Sequence, residues 1–259
     1  MAGFNGDELD LEFGVVASVE VVVVGGEVSV TAGGGPVRVT GIVIEGDPVK
    51  VSLDHGSLRV SHSVAKHLLD QMRGSMTATA HISVVAPPDV TVKVRSVSAD
   101  VLIAGFTEPP AVATVSGSVT VSEVGGLTAS TVSGPVEAQA IRGDLAVNAV
   151  SGPVTILGGR LETTAVKAAS GEILLDAEVL GDTTLTTVSG SVALRLPDDA
   201  VAMFDAATVS GRLDCAFPLA DSVSTKRKLA GSIGGGGARL RVRTVSGDVA
   251  VVRKRMADL

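Results

Sequence analysis

Hydrophobic and polar residues alternate along most of the chain, which is the spacing of β-strands that bury one face. Residues 131–156, TVSGPVEAQAIRGDLAVNAVSGPVTI, show this alternation and contain one phrase twice, as Thr-Val-Ser-Gly-Pro-Val and then as Ala-Val-Ser-Gly-Pro-Val. Glycines interrupt the alternation at intervals, as expected where strands turn. The pattern predicts short strands joined by glycine-containing turns.

The Val-Ser-Gly phrase recurs about every eighteen residues, a period typical of one coil of a β-solenoid. Successive separations between its serines are 18, 17, 18, 19, 19, 21 and 36 residues. The last separation is twice eighteen, so we expect a degenerate coil between Ser210 and Ser246. The predicted fold is all-β, a single-stack parallel β-solenoid with about eighteen residues per coil. The aligned serines are Ser98, Ser116, Ser133, Ser151, Ser170, Ser189, Ser210 and Ser246.

Three apolar columns support this stacking, and we expect all three to face inward as buried ladders. The first column precedes the serine and contains Val115, Val132, Val150, Ala169, Val188, Val209 and Val245. The second follows the serine by three residues and contains Val119, Val136, Val154, Ile173, Val192, Leu213 and Val249. The third lies two residues further on and contains Val121, Ala138, Ile156, Leu175, Leu194, Cys215 and Val251. Because Cys215 shares an apolar column, we interpret it as a small core residue rather than a reactive thiol.

The serine and glycine of the phrase have expected roles at the corner of each coil. Glycine is expected at φ > 0, a conformation that costs it least. The serine hydroxyl is expected to bond neighbouring backbone or the serine one coil away.

Before Ser98 the chain stays rich in strands but loses the phrase. Residues 63–75, SVAKHLLDQMRGS, form the one helix-like window, with Val64, Leu68 and Met72 four residues apart. We expect a short helix or loop there that interrupts or caps the first coils. The predicted organisation is an N-terminal cap and coils over residues 1–89, the repeat solenoid over 90–252, and a basic tail over 253–259.

Charge is unevenly distributed along the sequence. The formal net charge is −7, which gives no general attraction to nucleic acid. Residues 1–60 carry nine acidic and three basic residues, whereas residues 226–259 carry nine basic and two acidic residues. We therefore select the basic groups near the C-terminus as candidate interaction residues: Lys226, Arg227, Lys228, Arg253, Lys254 and Arg255.

The cellular location is expected to be cytoplasmic. The start, MAGFNGDELD, is acidic and lacks the basic and apolar regions of a signal peptide. No apolar run approaches the roughly eighteen residues that cross a bilayer. The single cysteine excludes an intrachain disulfide.

Three further features point to a known family: the Pro-Pro-Asp-Val entry at residues 87–90, the serial Thr-Val-Ser-Gly phrases, and the glycine-rich stretch 231–251, GSIGGGGARLRVRTVSGDVAV. With these features the chain resembles a bacterial family of unknown function, often labelled "putative adhesin", and especially its actinobacterial members. The resemblance covers nearly the whole chain, most strongly residues 82–252. Members often lie beside envelope-stress or regulator genes, which implies a role linked to those processes. The resemblance brings no agreed catalytic residues.

The residues that could support catalysis or metal binding do not form a recognisable site. The spacing of His62 and His67 does not put both on one helix face, and the other histidines, His55 and His81, have no cysteine nearby. We therefore expect the four histidines to belong to a solvated face rather than to a metal site. The repeated serines form a ladder with no adjacent base. Asp198 and Asp199 could be paired carboxylates for sugar cleavage, but they also suit an acidic corner after Pro197. We expect no enzyme activity, no metal and no cofactor.

Three classes of function remain open. The first is a rigid, non-enzymatic scaffold that binds protein partners or itself, with head-to-tail contact favoured by the separated charges. The second is an adhesin or polysaccharide-binding module, although the sequence has no Trp or Tyr to form a sugar platform. The third is a β-helix enzyme that acts on a polysaccharide. The first is the interpretation that the sequence favours.

Overall fold

The computed structural model describes residues 4–5, 8–46, 48–62 and 78–254. Every regular element in these ranges is a β-strand, so the all-β prediction is confirmed. The helix-like window 63–75 lies outside the described residues. The chain divides into two compact units, residues 1–128 and 129–259.

The first unit contains twelve described strands, and a thirteenth, β13 (Leu127–Thr131), contains the division between the units. The twelve are β1 (Phe4–Asn5), β2 (Glu8–Phe13), β3 (Ser18–Val23), β4 (Gly25–Ala32), β5 (Val37–Glu45), β6 (Lys50–Asp54), β7 (Ser57–Ser61), β8 (Thr79–Ala86), β9 (Thr91–Ser96), β10 (Asp100–Ala104), β11 (Ala111–Thr114) and β12 (Val119–Ser122).

In the first unit, parallel coils meet antiparallel strands. The coil formed by β3 and β4 lies between two other coils. Strand β3 pairs in parallel with both β7 and β9. Strand β4 pairs in parallel with both β8 and β10. Beyond β8, the pairing becomes antiparallel through β5 to β2. Beyond β7, it becomes antiparallel through β6 to β1. The sheet is therefore mixed rather than wholly parallel.

The second unit contains eleven further described strands. They are β14 (Val136–Ala149), β15 (Val154–Ala168), β16 (Ile173–Asp176), β17 (Val179–Thr187), β18 (Val192–Pro197), β19 (Ala202–Ser210), β20 (Leu213–Cys215), β21 (Ala220–Ser224), β22 (Lys228–Ile233), β23 (Ala238–Ser246) and β24 (Val249–Lys254).

The last coil of the chain is inserted into the stack of the second unit. Strand β23 pairs in parallel with both β17 and β19, and β24 pairs in parallel with both β18 and β20. Ser246 therefore stacks between Ser189 and Ser210 rather than after them. The residues expected to hide a degenerate coil instead form the antiparallel hairpin β21–β22 against β19. That expectation is wrong.

Two of the three predicted columns form the core. In the second and third columns, every residue whose strand has a paired strand on both sides is at most 1% exposed. Val154, Ile156 and Leu175 are examples. Leu213 and Cys215 are less buried because, among the described strands, β20 pairs with β24 alone.

The first column faces solvent, so its predicted inward orientation is wrong. Val132 and Val188 are 45% and 50% exposed, whereas Thr131 and Thr187, one position earlier, are 4% and 1% exposed. On this strand the side chains that face the core are those of Leu127, Ala129 and Thr131, and the coil turns directly after Thr131. At some corners the hydroxyl of the buried threonine bonds the backbone: Thr131 Oγ1 accepts the Gly134 N–H at 3.0 Å, whereas Thr187 Oγ1 has no hydrogen-bond partner among the described residues. The contact made by Thr131 recurs from Gly117 to Thr114.

The corner glycines are required by close stacking and not by φ > 0. None of the glycines of the phrase has a positive φ, so that expectation is wrong. A Cβ on Gly152 would lie 2.0 Å from the carbonyl oxygen of Gly134, and one on Gly190 would lie 2.0 Å from that of Gly171. The serine role is supported: Ser116 and Ser151 each donate Oγ–H to a valine carbonyl one coil away, at 3.2 Å.

Candidate functional site

The most exposed structured element of the second unit is the hairpin β21–β22, which carries three of the candidate basic residues. Strand β22 pairs antiparallel with β19 on one side and with β21 on the other. Within the part of the chain that the structure describes, β21 has no second neighbour. Residues 221–228 are all exposed.

Thr225 fixes the turn of this hairpin. Its Oγ1 accepts the N–H of Lys228 at 3.0 Å, and its own N–H donates to the Lys228 carbonyl at 2.8 Å. Lys226 and Arg227 consequently occupy the tip with exposed side chains. The turn therefore presents two positive charges to solvent.

Asp205 ties the base of the hairpin to the inserted coil. Arg243 on β23 donates to the carboxylate of Asp205 and, at 2.8 Å, to its carbonyl oxygen. Lys228 Nζ lies 3.8 Å from Asp205 Oδ1. Burial alone would raise the pKa of Asp205, but the Arg243 hydrogen bond and the charges of Arg243, Lys228 and Arg241 together lower it.

The remaining candidate residues do not join this turn. Arg253 and Lys254 lie on β24, whose partners are β18 and β20. Arg253 Nε donates to the Ala216 carbonyl at 3.1 Å, and its guanidinium lies 5.0 Å from the centre of the Phe217 ring. Lys254 Nζ donates to Asp176 at 2.9 Å. Arg255 lies outside the described residues. The structure thus groups Lys226, Arg227 and Lys228 and separates them from the other three.

The sequence of the chain matches one known protein family over most of its length. The Toastrack DUF4097 family matches residues 16–252. The chain belongs to this family.

Three solved structures are similar to the chain at low sequence identity. The structure named "Putative lipid binding protein" from Parabacteroides distasonis is 13% identical with a TM-score of 0.57, and the match covers 97% of this chain and 98% of that one. The "putative adhesin" from Bacteroides fragilis is 12% identical with a TM-score of 0.41, covering 95% and 97%. The "putative cell adhesion protein" from Clostridium sporogenes is 10% identical with a TM-score of 0.28, covering 95% and 100%. The first likeness shows a shared fold. No curated protein matches the chain significantly.

The histidines of this Toastrack chain lie in different environments. His62 is buried, and its Nδ1 accepts the Val24 N–H at 3.4 Å. The expectation that the histidines form a solvated face is therefore wrong for His62. His55 and His81 are exposed beside Asp54 and Glu27, and His67 lies outside the described residues. The described ranges contain no group of three or more His, Cys, Asp or Glu side chains placed to hold a metal ion.

The other chemically interesting residues have structural surroundings. Asp198 and Asp199 are exposed in the turn that the Ala200 N–H closes onto the Pro197 carbonyl at 3.1 Å. Cys215 is half-buried opposite Val251, and burial raises the pKa of its thiol. Among the residues described, no helix has the length and apolar character needed to cross a membrane.

Proposed function

We propose that this Toastrack protein is a non-enzymatic structural protein that associates with further copies of itself through oppositely charged strand edges. The observation that carries the proposal is the exposed basic hairpin β21–β22 in a chain that also carries an acidic edge strand, β2. The hairpin supplies Lys226 and Arg227 at its tip, both exposed. Opposite charges on two surfaces favour their encounter and fix the orientation of docking.

Strand β2 is the complementary surface. Within the described residues it pairs with β5 alone, and its outward side chains are Glu8, Asp10 and Glu12. Arg38 neutralises Asp10 through a 3.0 Å ion pair. Glu8 and Glu12 are exposed. Arg38 lies opposite Glu12 and attracts it, but Arg38 forms its ion pair with Asp10, so the two glutamates can still meet a basic partner.

The two edges belong to different units of the chain, so a contact that joins them between copies is heterologous and can repeat. The bulge between Ala220 and Val223, together with the positive φ of Asp221, limits regular strand pairing along β21. We therefore expect the charges to contribute a large share of the association. An association of this kind weakens as salt screens exposed charges over roughly 10 Å or less.

Sedimentation velocity at about 20 mM and about 500 mM salt tests the proposal. We expect species larger than one chain at low salt, and a shift toward single chains at high salt. The double variant Lys226→Glu/Arg227→Glu should remain a single chain at low salt. The control Arg142→Glu/Lys167→Glu makes the same change in charge at exposed positions away from the hairpin, and should still associate.

A charge exchange makes the test specific to the two edges. Glu8→Lys/Glu12→Lys should also abolish association when it is alone. Mixing that variant with Lys226→Glu/Arg227→Glu should restore a repeating assembly in which the two variants alternate. Combining all four changes in one chain should restore it. Single chains at every concentration and salt level would overturn the proposal. Fractionation of cells separately tests the cytoplasmic location expected from the sequence, since an adhesin must appear outside.

A further inference from the structure

A basic cleft lies on the second unit, on the outer surface of β14, β15, β16, β18 and β24. Its volume is about 860 Å³, and its charged lining residues are Arg142, Arg160, Asp176, Glu178, Arg195 and Lys254. Four bases and two acids give this lining a net charge of +2, whereas the whole chain has a net charge of −7. The cleft is therefore a local concentration of positive charge in an acidic protein.

Two of its bases are held in place by a buried carboxylate. The Asp176 side chain is 9% exposed and lies between Arg195 at 3.2 Å and Lys254 at 2.9 Å. These pairings span three neighbouring strands, because β16 and β24 both pair with β18. Asp176 thus orients Arg195 and Lys254 while neutralising one of their two charges.

The other two bases form an unneutralised pair. Arg142 and Arg160 occupy matching positions on β14 and β15, so their backbones are about 4.8 Å apart. Both are exposed, and neither makes an ion pair or side-chain hydrogen bond with a described residue. Like charges on matching positions of neighbouring strands repel each other, and an anion bound between them would remove that repulsion. They also offer planar sets of donors that suit a phosphate or carboxylate.

We propose that this cleft binds a phosphate group of a phosphorylated ligand, with Arg142 and Arg160 as its direct donors. The net lining charge of +2 matches a phosphate dianion, and three phosphate oxygens can accept from both guanidinium groups. The volume exceeds that needed for inorganic phosphate and leaves room for the group attached to it. The cleft contains neither Lys226 nor Arg227, so the proposal does not depend on self-association.

Isothermal titration calorimetry with pyrophosphate tests binding of a free phosphate compound. Co-sedimentation with vesicles of phosphatidic acid and phosphatidylcholine tests a phosphate monoester carried by a lipid headgroup. Vesicles of phosphatidylglycerol and phosphatidylcholine are the control, because they are anionic but their phosphates are diesters. Binding in the first assay identifies a soluble ligand, and binding that depends on phosphatidic acid in the second alone identifies a headgroup. Either result supports the cleft if the variants below respond as expected.

The double variant Arg142→Gln/Arg160→Gln should weaken binding at least tenfold. Arg142→Lys/Arg160→Lys keeps the charge but loses the planar donors, so we expect an intermediate loss. Lys226→Gln/Arg227→Gln removes the same charge elsewhere and should change affinity less than twofold. Because the Arg142→Gln/Arg160→Gln variant keeps the hairpin, it should still self-associate. Failure of both probes to bind at millimolar concentration, or equal affinity in the cleft variant and the unchanged protein, would overturn the proposal.

Discussion

At the scale of single residues, the corner glycines are fixed by the backbone of the neighbouring coil. A Cβ on Gly117 would lie 1.8 Å from the Ala99 carbonyl oxygen, far inside normal contact. The obstacle is backbone rather than a flexible side chain, so the two coils would have to separate. This close approach explains why glycine recurs in the phrase although its φ is ordinary.

Gly117→Ala should therefore lower the free energy of unfolding by roughly 3 kcal/mol. Gly34→Ala is the matched control in the same unit, because nothing lies within 4 Å of its added Cβ and its φ is not positive. The control should change stability by less than about 1 kcal/mol. Urea unfolding followed by circular dichroism measures both, and equal losses would contradict the stacking explanation.

The neighbouring threonine and valine provide a reciprocal test of the corner. Thr131→Val keeps the shape but removes the acceptor of the buried Gly134 N–H, so it should cost about 1–2 kcal/mol. Val132→Thr changes a half-exposed position and should stay within about 0.5 kcal/mol. A greater loss in Val132→Thr, measured by the same urea titration, would show that the valine is the core residue after all.

At the scale of elements, the ends of the stacks are closed by antiparallel strands. In the second unit, β22 covers the side of β19 opposite β23, and Asp205 connects these three strands through Arg243 and Lys228. In the first unit, β5 covers β8 in the same manner. Antiparallel cover satisfies backbone groups that an open parallel coil would leave unpaired.

Because Asp205 forms ion pairs with Arg243 and Lys228, the free energy of unfolding should depend on pH under acidic conditions. Its pKa is lowered in the folded chain, so its stabilising contribution is complete above the unfolded value near 3.9 and is lost as pH falls through the lower folded value. Asp205→Asn should be less stable than the unchanged protein at pH 7, by about 1 kcal/mol because the group is partly exposed. Urea unfolding at several pH values should show this difference shrinking below about pH 4. A constant difference down to pH 2 would exclude the ion pairs as its cause.

At the scale of the whole molecule, the excess of acidic over basic residues determines how solubility depends on pH. The sequence pI is about 5.1, so repulsion between chains disappears near that pH. Solubility should be lowest near pH 5 and should rise on either side. Lys226→Glu/Arg227→Glu makes the chain more acidic, so its solubility minimum should move to lower pH. Turbidity measured across pH checks this, and an unmoved minimum would mean that local patches rather than net charge control precipitation.

Much of the architecture could be predicted because the period and the apolar columns are local properties. The alternation of apolar residues correctly predicts that the columns through Val154 and Ile156 lie in the core, and residue type predicts the serine contacts. Hydrophobicity wrongly predicts that the column through Val132 is buried. Valine is more hydrophobic than threonine, but a hydrophobicity pattern does not reveal that the Thr131 hydroxyl satisfies a corner N–H. For the candidate site, the run Lys226–Lys228 could be selected from its charge. The cleft pair Arg142 and Arg160 was missed, although their spacing of one repeat was a usable signal.

The sequence by itself determined the strands, the coil of about eighteen residues and the two inner columns, since each depends on neighbouring residues and one repeating distance. Only the tertiary structure decided the order of the coils. Strand β23 pairs with β17 and β19 rather than following β20, because any coil of the same period and apolar face can stack on any other. The order in which equivalent coils stack depends on long-range packing and on which strands cover the ends of each stack. The same packing decided that Lys254 would contact Asp176, 78 residues away, and not join Lys226 in the turn.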